Sequence, residues 1–234
     1  MLLGAENVEK LRMSHVLVAG LGGVGAYAAE ALCRAGVGRL TLVDGDTVQP
    51  GNRNRQLLAL CSTEGRRKTD VMAERLCDIN PEVLLECVPE FIRDERLMEL
   101  ASRRYDYVVD AIDTLSPKVF LLFHALRNGQ RVVSSMGAGG KLDPLQIRVA
   151  DLSETCHCRL AHFLRKRLRR LGVTSGVKAV FSTEQADRRL TALCDEQNKK
   201  SVVGTVSYLP AMFGCVCASV VIRDLIGSDG VQRP

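Results

Sequence analysis

A short apolar run, a glycine-rich turn, a helix and a second apolar run ending in aspartate occupy residues 14–44, and this order constrains the fold more than any other feature of the chain. Residues 14–20 (SHVLVAG) read as a buried parallel strand, because a β-rich run without polar alternation has to be covered on both faces. Gly20-Leu21-Gly22-Gly23-Val24-Gly25 follows, and Val24, Ala28, Leu32 and Ala35 then recur at helical spacing. Glycines in such a turn let the backbone approach a phosphate closely. The helix start adds free N–H groups and the positive end of its dipole. Residues 39–44 (RLTLVD) read as the second strand, and Asp44 stands where a carboxylate can accept ribose hydroxyls. The unit predicts nucleotide binding without saying which nucleotide.

The alternation continues. Residues 68–79 read as a helix closed by Asn80-Pro81, 83–88 as a strand, 94–102 as a helix and 105–111 as a fourth strand. A helix over 117–127 ends at Asn128-Gly129, and 131–135 is a fifth strand. This pattern predicts an α/β class, a Rossmann-like doubly wound and mostly parallel sheet, with residues 1–136 as a nucleotide-binding core. Residues 137–234 read as an extension of the same domain. It holds a glycine turn at 137–140, strands at 145–150 and 179–181, a basic helix at 157–171 and a polar loop over 184–200. An apolar run over 208–222 falls short of the roughly 20 residues that cross a membrane and reads as a buried helix.

Charge separates the same two parts. Residues 1–150 carry 19 Lys+Arg and 19 Asp+Glu, whereas residues 151–234 carry 13 and 8, so the whole net charge of +5 lies in the C-terminal third. An excess confined there suits a polyanionic partner, although a solvated helix face would read the same way. The N-terminus carries Glu6 and Glu9 and no basic-then-apolar leader. Nine cysteines, an odd number, then read as reduced thiols in a cytoplasmic protein. Cys156-His157-Cys158 and Cys215-x-Cys217 are poorly spaced for a structural zinc site.

One cluster discriminates among nucleotides. Asp46, Asn52, Arg53, Asn54, Arg55 and Gln56 follow Asp44 closely, and Lys68 opens the next helix. A dinucleotide dehydrogenase has little use for so many donors there, whereas ATP chemistry needs cations near a departing pyrophosphate. Asp113, just beyond the fourth strand, sits at the carboxyl edge of the sheet and could hold Mg²⁺ bridging the phosphates, or could cap the next helix.

With GLGGVG, VDGDTV, NRNRQ, the helix-opening lysine, INP and DAID, the chain resembles the adenylation domain of the ubiquitin-activating and sulfur-carrier-activating superfamily. SSMGAGGKLDPLQIRVADLSET, the basic helix and VFSTE narrow the resemblance to the bacterial tRNA threonylcarbamoyladenosine dehydratases, over residues 3–227. The resemblance implies that residues 1–136 are an ATP-binding adenylation core and residues 137–234 its extension for substrate and tRNA binding and for dimerisation, with a nucleotide site of Gly20, Gly22, Gly23, Gly25, Asp44, Asp46, Asn52, Arg55, Gln56 and Lys68. Within it Arg55, Lys68 and Asp113 carry catalysis, and Asp113 serves Mg²⁺. It further implies that Arg159, Arg165, Lys166, Arg167, Arg169 and Arg170 meet tRNA phosphates, and that the chain forms a homodimer. A sulfur-relay or cysteine desulfurase partner is left open. Two departures stand out: no arginine precedes Arg12 to reach a partner's ATP, and the paired CxxC motifs of the sulfur-carrier activators are missing.

Overall fold

The computed structural model describes residues 2–92, 94–185, 191–196 and 199–227. Seven strands form one sheet: β1 (His15–Ala19), β2 (Arg39–Val43), β3 (Leu84–Val88), β4 (Tyr107–Asp110), β5 (Val132–Ser135), β6 (Ile147–Asp151) and β7 (Lys178–Ser182). Their order is β3-β2-β1-β4-β5-β7-β6, parallel except for β6, which runs antiparallel to β7 at one edge. The expected doubly wound sheet is therefore present, and it continues past residue 136 through β6 and β7. The central strand β1 is buried on both faces. Val16 and Val18 of β1 join one core and Leu17 and Ala19 the other.

Among the described residues seven helices cover the two faces: α1 (Gly4–Arg12), α2 (Gly25–Arg34), α3 (Lys68–Ile79), α4 (Asp94–Ser102), α5 (Leu115–Arg127), α6 (Arg159–Arg170) and α7 (Tyr208–Ile226). Buried residues of α1, α2, α3 and α7 share one core, and those of α4, α5 and α6 share the other. The sequence reading did not anticipate α1, whose only buried residue is Leu11, so its apolar face is too narrow to announce itself.

Two further expectations need correction. The apolar helix is not cut short at residue 222. It runs for 19 residues with a mean hydropathy of 1.8, so length and composition alone would let it cross a membrane. Instead it packs against α1, α2, β4, β5 and β7 as a core helix. Gly214 permits the contact with α2, since a Cβ there would lie 2.4 Å from Val24 O. The polar stretch 184–200 is also not simply a loop. Its described residues contribute β8 (Thr191–Glu196), which pairs antiparallel with β9 (Lys199–Val203), while residues 186–190, 197 and 198 lie outside the described residues.

Candidate active site at the carboxyl edge of the sheet

Strand order reverses between β1 and β4, because β1 pairs with β2 on one side and with β4 on the other. In open α/β sheets this crevice is where ligands bind. The glycine turn crosses it. Gly20 has φ of +91°, and a Cβ on it would lie 2.7 Å from Ala111 O at the end of β4. A Cβ on Gly25 would lie 1.7 Å from Gly20 O. These two glycines thus close the turn on itself and on β4. Gly22 has room, with Gln56 Nε2 as its nearest neighbour at 3.8 Å, whereas Gly23 is backed by Pro210 and Arg55. No side chain caps α2; in its first turn Ala26 N and Ala28 N donate back to Gly22 O and Val24 O, and the helix presents the positive end of its dipole to the glycine turn.

Asp44 ends β2 directly opposite. Its carboxylate accepts hydrogen bonds from Leu21 N at 2.6 Å and Asp46 N at 2.8 Å, and so braces the glycine turn as well as facing the crevice. Burial raises its pKa. The nearby Lys68 ammonium and the two amides offset part of that rise. Lys68 is only 3% exposed. Its Nζ lies 2.9 Å from Asp46 Oδ2 and 4.0 Å from Asp44 Oδ2, so a nearly dry cation stands at the crevice with one exposed carboxylate partner.

The loop residues arrive through a short 3₁₀ turn at Pro50–Asn52, where Asn52 Oδ1 accepts from Gln49 N. Arg55 Nη1 donates to Gly51 O at 3.0 Å and to Asn54 Oδ1 at 2.8 Å, and its side-chain stem passes over Gly23. Arg53 is paired with Glu64. Asn54 Nδ2 donates to Thr205 O. Gln56 Oε1 is buried with no hydrogen-bond partner among the described residues, an acceptor awaiting a donor such as a nucleoside hydroxyl or amino group. Glycine turn, acid, cations and orphaned acceptor suit ATP better than an uncharged ligand.

Asp113 lies exposed just past β4. Thr114, the cap residue of α5, makes no side-chain capping bond. Among the described residues no group of three or more His, Cys, Asp or Glu side chains gathers as a metal centre. An exposed carboxylate at this edge is the kind of group that would hold Mg²⁺, which keeps most of its waters and is bound through one or two carboxylates plus the substrate's own phosphates.

The basic helix α6 flanks this edge. Cys158 starts it, accepting from Ala161 N, and lies 3.6 Å from the position of a Cβ on Gly137, just past β5. Arg159, Lys166, Arg167, Arg169 and Arg170 are exposed, and Arg167 Nη1 donates to Ser116 Oγ in the first turn of α5, close to Asp113 in sequence. Arg165 is different. It is half-buried and donates to Leu152 O, Thr155 O and Thr155 Oγ1, so it anchors the helix from inside.

The sequence reading missed one group beneath the site. Asp110 at the end of β4 and Lys118 in α5 are both fully buried and lie 2.7 Å apart. A signal existed: Lys118 precedes Leu121, Leu122 and Ala125 by three, four and seven positions, on the face that α5 buries.

A model of the ThiF family matches residues 1–233 of the chain. The chain belongs to the ThiF family. This ThiF-family chain is 38% identical to the tRNA threonylcarbamoyladenosine dehydratase of Bacillus subtilis over 99% of its own length and 94% of that protein. It is 39% identical to the Escherichia coli enzyme of the same name, over 99% and 93%. The crystal structure of E. coli tRNA N6-threonylcarbamoyladenosine dehydratase, TcdA, in complex with ATP superposes with a TM-score of 0.89 at 37% identity, covering 99% of this chain and 93% of that one.

Proposed function

We propose that this protein is an ATP-dependent tRNA threonylcarbamoyladenosine dehydratase. The observation that carries the reading is the set of groups around the glycine turn: the buried Lys68 ammonium beside Asp44, the Arg55 side chain over Gly23 and the orphaned Gln56 acceptor. ATP supplies the ligand that needs all three, and relatives similar along nearly their whole length carry this activity in their names.

The chemistry has two halves. The carboxylate of the threonylcarbamoyl group attacks the α-phosphorus of ATP, the bond to the bridging oxygen breaks, and pyrophosphate leaves with the electron pair. Lys68 and Arg55 stabilise the charge that builds on it. Mg²⁺ held at Asp113 would neutralise phosphate charge during this step. An oxygen of the same modified base then attacks the acyl carbon of the mixed anhydride, closing a ring and expelling AMP. The net change in the RNA is the loss of one water. Nucleophile and acyl group belong to one molecule, so orientation replaces an enzyme nucleophile. Arg159, Lys166, Arg167, Arg169 and Arg170 on α6 would hold the RNA backbone beside this edge. The half-exposed Tyr208 and Met212 of α7 would serve a homodimer, and a sulfur-relay or cysteine desulfurase protein would be an accessory partner.

Release of AMP from ATP tests the reading, with tRNA bearing threonylcarbamoyladenosine set against the same tRNA without it. AMP formed only with the modified RNA, together with a mass loss of one water, is the expected result. AMP formed instead with a small carrier protein, and none with either RNA, would overturn it in favour of carrier activation.

A further inference from the structure

The turn that bears Asp113 is fixed from below by a lysine that solvent does not reach. Lys118 is 0% exposed, and its ammonium makes three contacts. It pairs with Asp110 Oδ2 at 2.7 Å and donates to Ile112 O at 3.0 Å and Ser135 O at 2.9 Å. Three acceptors match its three protons. Asp110 is satisfied in turn: Ser134 Oγ donates to Oδ2 at 2.6 Å, and Ile112 N donates to Oδ1 at 3.1 Å. The cluster thus ties the β4–α5 turn to the end of β5, strand to strand, through one side chain.

Stability does not account for this arrangement. Taking two charges out of water costs about as much as their attraction returns, and an apolar pair of similar volume does as well or better. What the ionic pair provides is position. Its two carbonyl acceptors are main-chain atoms, one of them immediately before Asp113. The same turn touches the glycine loop, since Ala111 O lies 2.7 Å from the position of a Cβ on Gly20. A shift of the turn would therefore displace the carboxylate and the phosphate-facing loop together.

We propose that Lys118, oriented by Asp110 and Ser134, is a positioning residue for the nucleotide site, setting Asp113 and the floor of the glycine turn for ATP with its metal. This rests on the ATP reading above. Lys118 touches no reacting atom in this account. It acts through Ile112 and Ser135.

The test is calorimetric titration of the whole chain with ATP, in Mg²⁺ and in EDTA, alongside thermal melting. Lys118→Met alone leaves Asp110 buried and unpaired and melts lower. The double variant Asp110→Asn, Lys118→Met removes both charges and regains most of the parent's melting temperature. It still binds ATP in Mg²⁺ about 10–100-fold more weakly, the usual loss when a ligand's supporting partner goes, with a smaller loss in EDTA. Ser134→Ala, which removes only the hydroxyl that orients Asp110, weakens binding in the same direction by a smaller factor. It carries the test if Lys118→Met does not fold. A double variant or Ser134→Ala with the parent's affinity in Mg²⁺ would overturn the proposal and reduce the pair to packing. A parent protein that binds no ATP in either buffer would instead bring down the ATP reading itself.

Discussion

The basic helix gives the most quantitative prediction. Lys166, Arg169 and Arg170 are exposed on α6 and their side chains make no hydrogen bond or ion pair among the described residues, so replacing all three by alanine removes charge without breaking a polar contact. Each phosphate neutralised adds about −0.7 (single strand) to −0.9 (duplex) to the slope of log affinity against log salt. Losing three cations then flattens the slope by about 2.1 to 2.7. Between 50 and 200 mM salt, a fourfold change, the gap between parent and variant shrinks by about 20–40-fold. Fluorescence anisotropy of labelled tRNA at several salt concentrations reads this directly. Arg165→Ala is the control, because its guanidinium is engaged by Leu152 and Thr155, and it should lower stability while leaving the slope alone. A triple variant with the parent's slope would refute the placement of RNA on α6. An Arg165→Ala variant that flattens the slope as much as the triple would refute the reading of Arg165 as an internal anchor.

Lys68→Met should cut single-turnover AMP formation by about 10²–10³-fold, the scale of losing one electrostatic stabiliser. It should also destabilise, since Asp44, whose carboxyl burial already pushes upward, loses its offsetting cation. That penalty bears on the ionised carboxylate, so it is present at neutral pH and vanishes as pH falls below the unfolded aspartate value of about 3.9; a melting-temperature loss equal at pH 3.5 and pH 7 would contradict it. Gly25→Ala places a Cβ 1.7 Å from Gly20 O, where no rotamer relieves the overlap, so the thermal midpoint should fall and ATP binding with it. An unchanged midpoint would mean that the turn is not closed as described. Cys217 is fully buried and its thiol is pushed up to about 12, whereas Cys215, two residues away, is exposed. Iodoacetamide under native conditions should therefore label Cys215 and spare Cys217 until the chain is denatured, as mass spectrometry of the peptides would show.

What could be read from the sequence divides by range. The glycine turn, Asp44 and the helix-opening Lys68 announce themselves because their chemistry is local: a turn needs glycine where φ is positive, and a strand end needs its acid within a few residues. The parallel sheet was legible for a similar reason, since apolar runs alternating with helical periods allow few other packings. The strand order was not, because it depends on which strands meet in space. Nor was the pairing of β8 with β9, because a polar, charged stretch shows no alternation from which to infer pairing. The Asp110–Lys118 pair marks the boundary between the two. Both residues lay within stretches assigned correctly to a strand and a helix, and DAID drew attention to its second aspartate alone. The two aspartates are three residues apart, yet burial separates their roles: the exposed Asp113 can meet a ligand, whereas the enclosed Asp110 can only meet protein. Periodicity can show that Lys118 faces inward. Only the fold supplies the carbonyls of Ile112 and Ser135, and it is those acceptors that turn an inward-facing cation into a brace for the site.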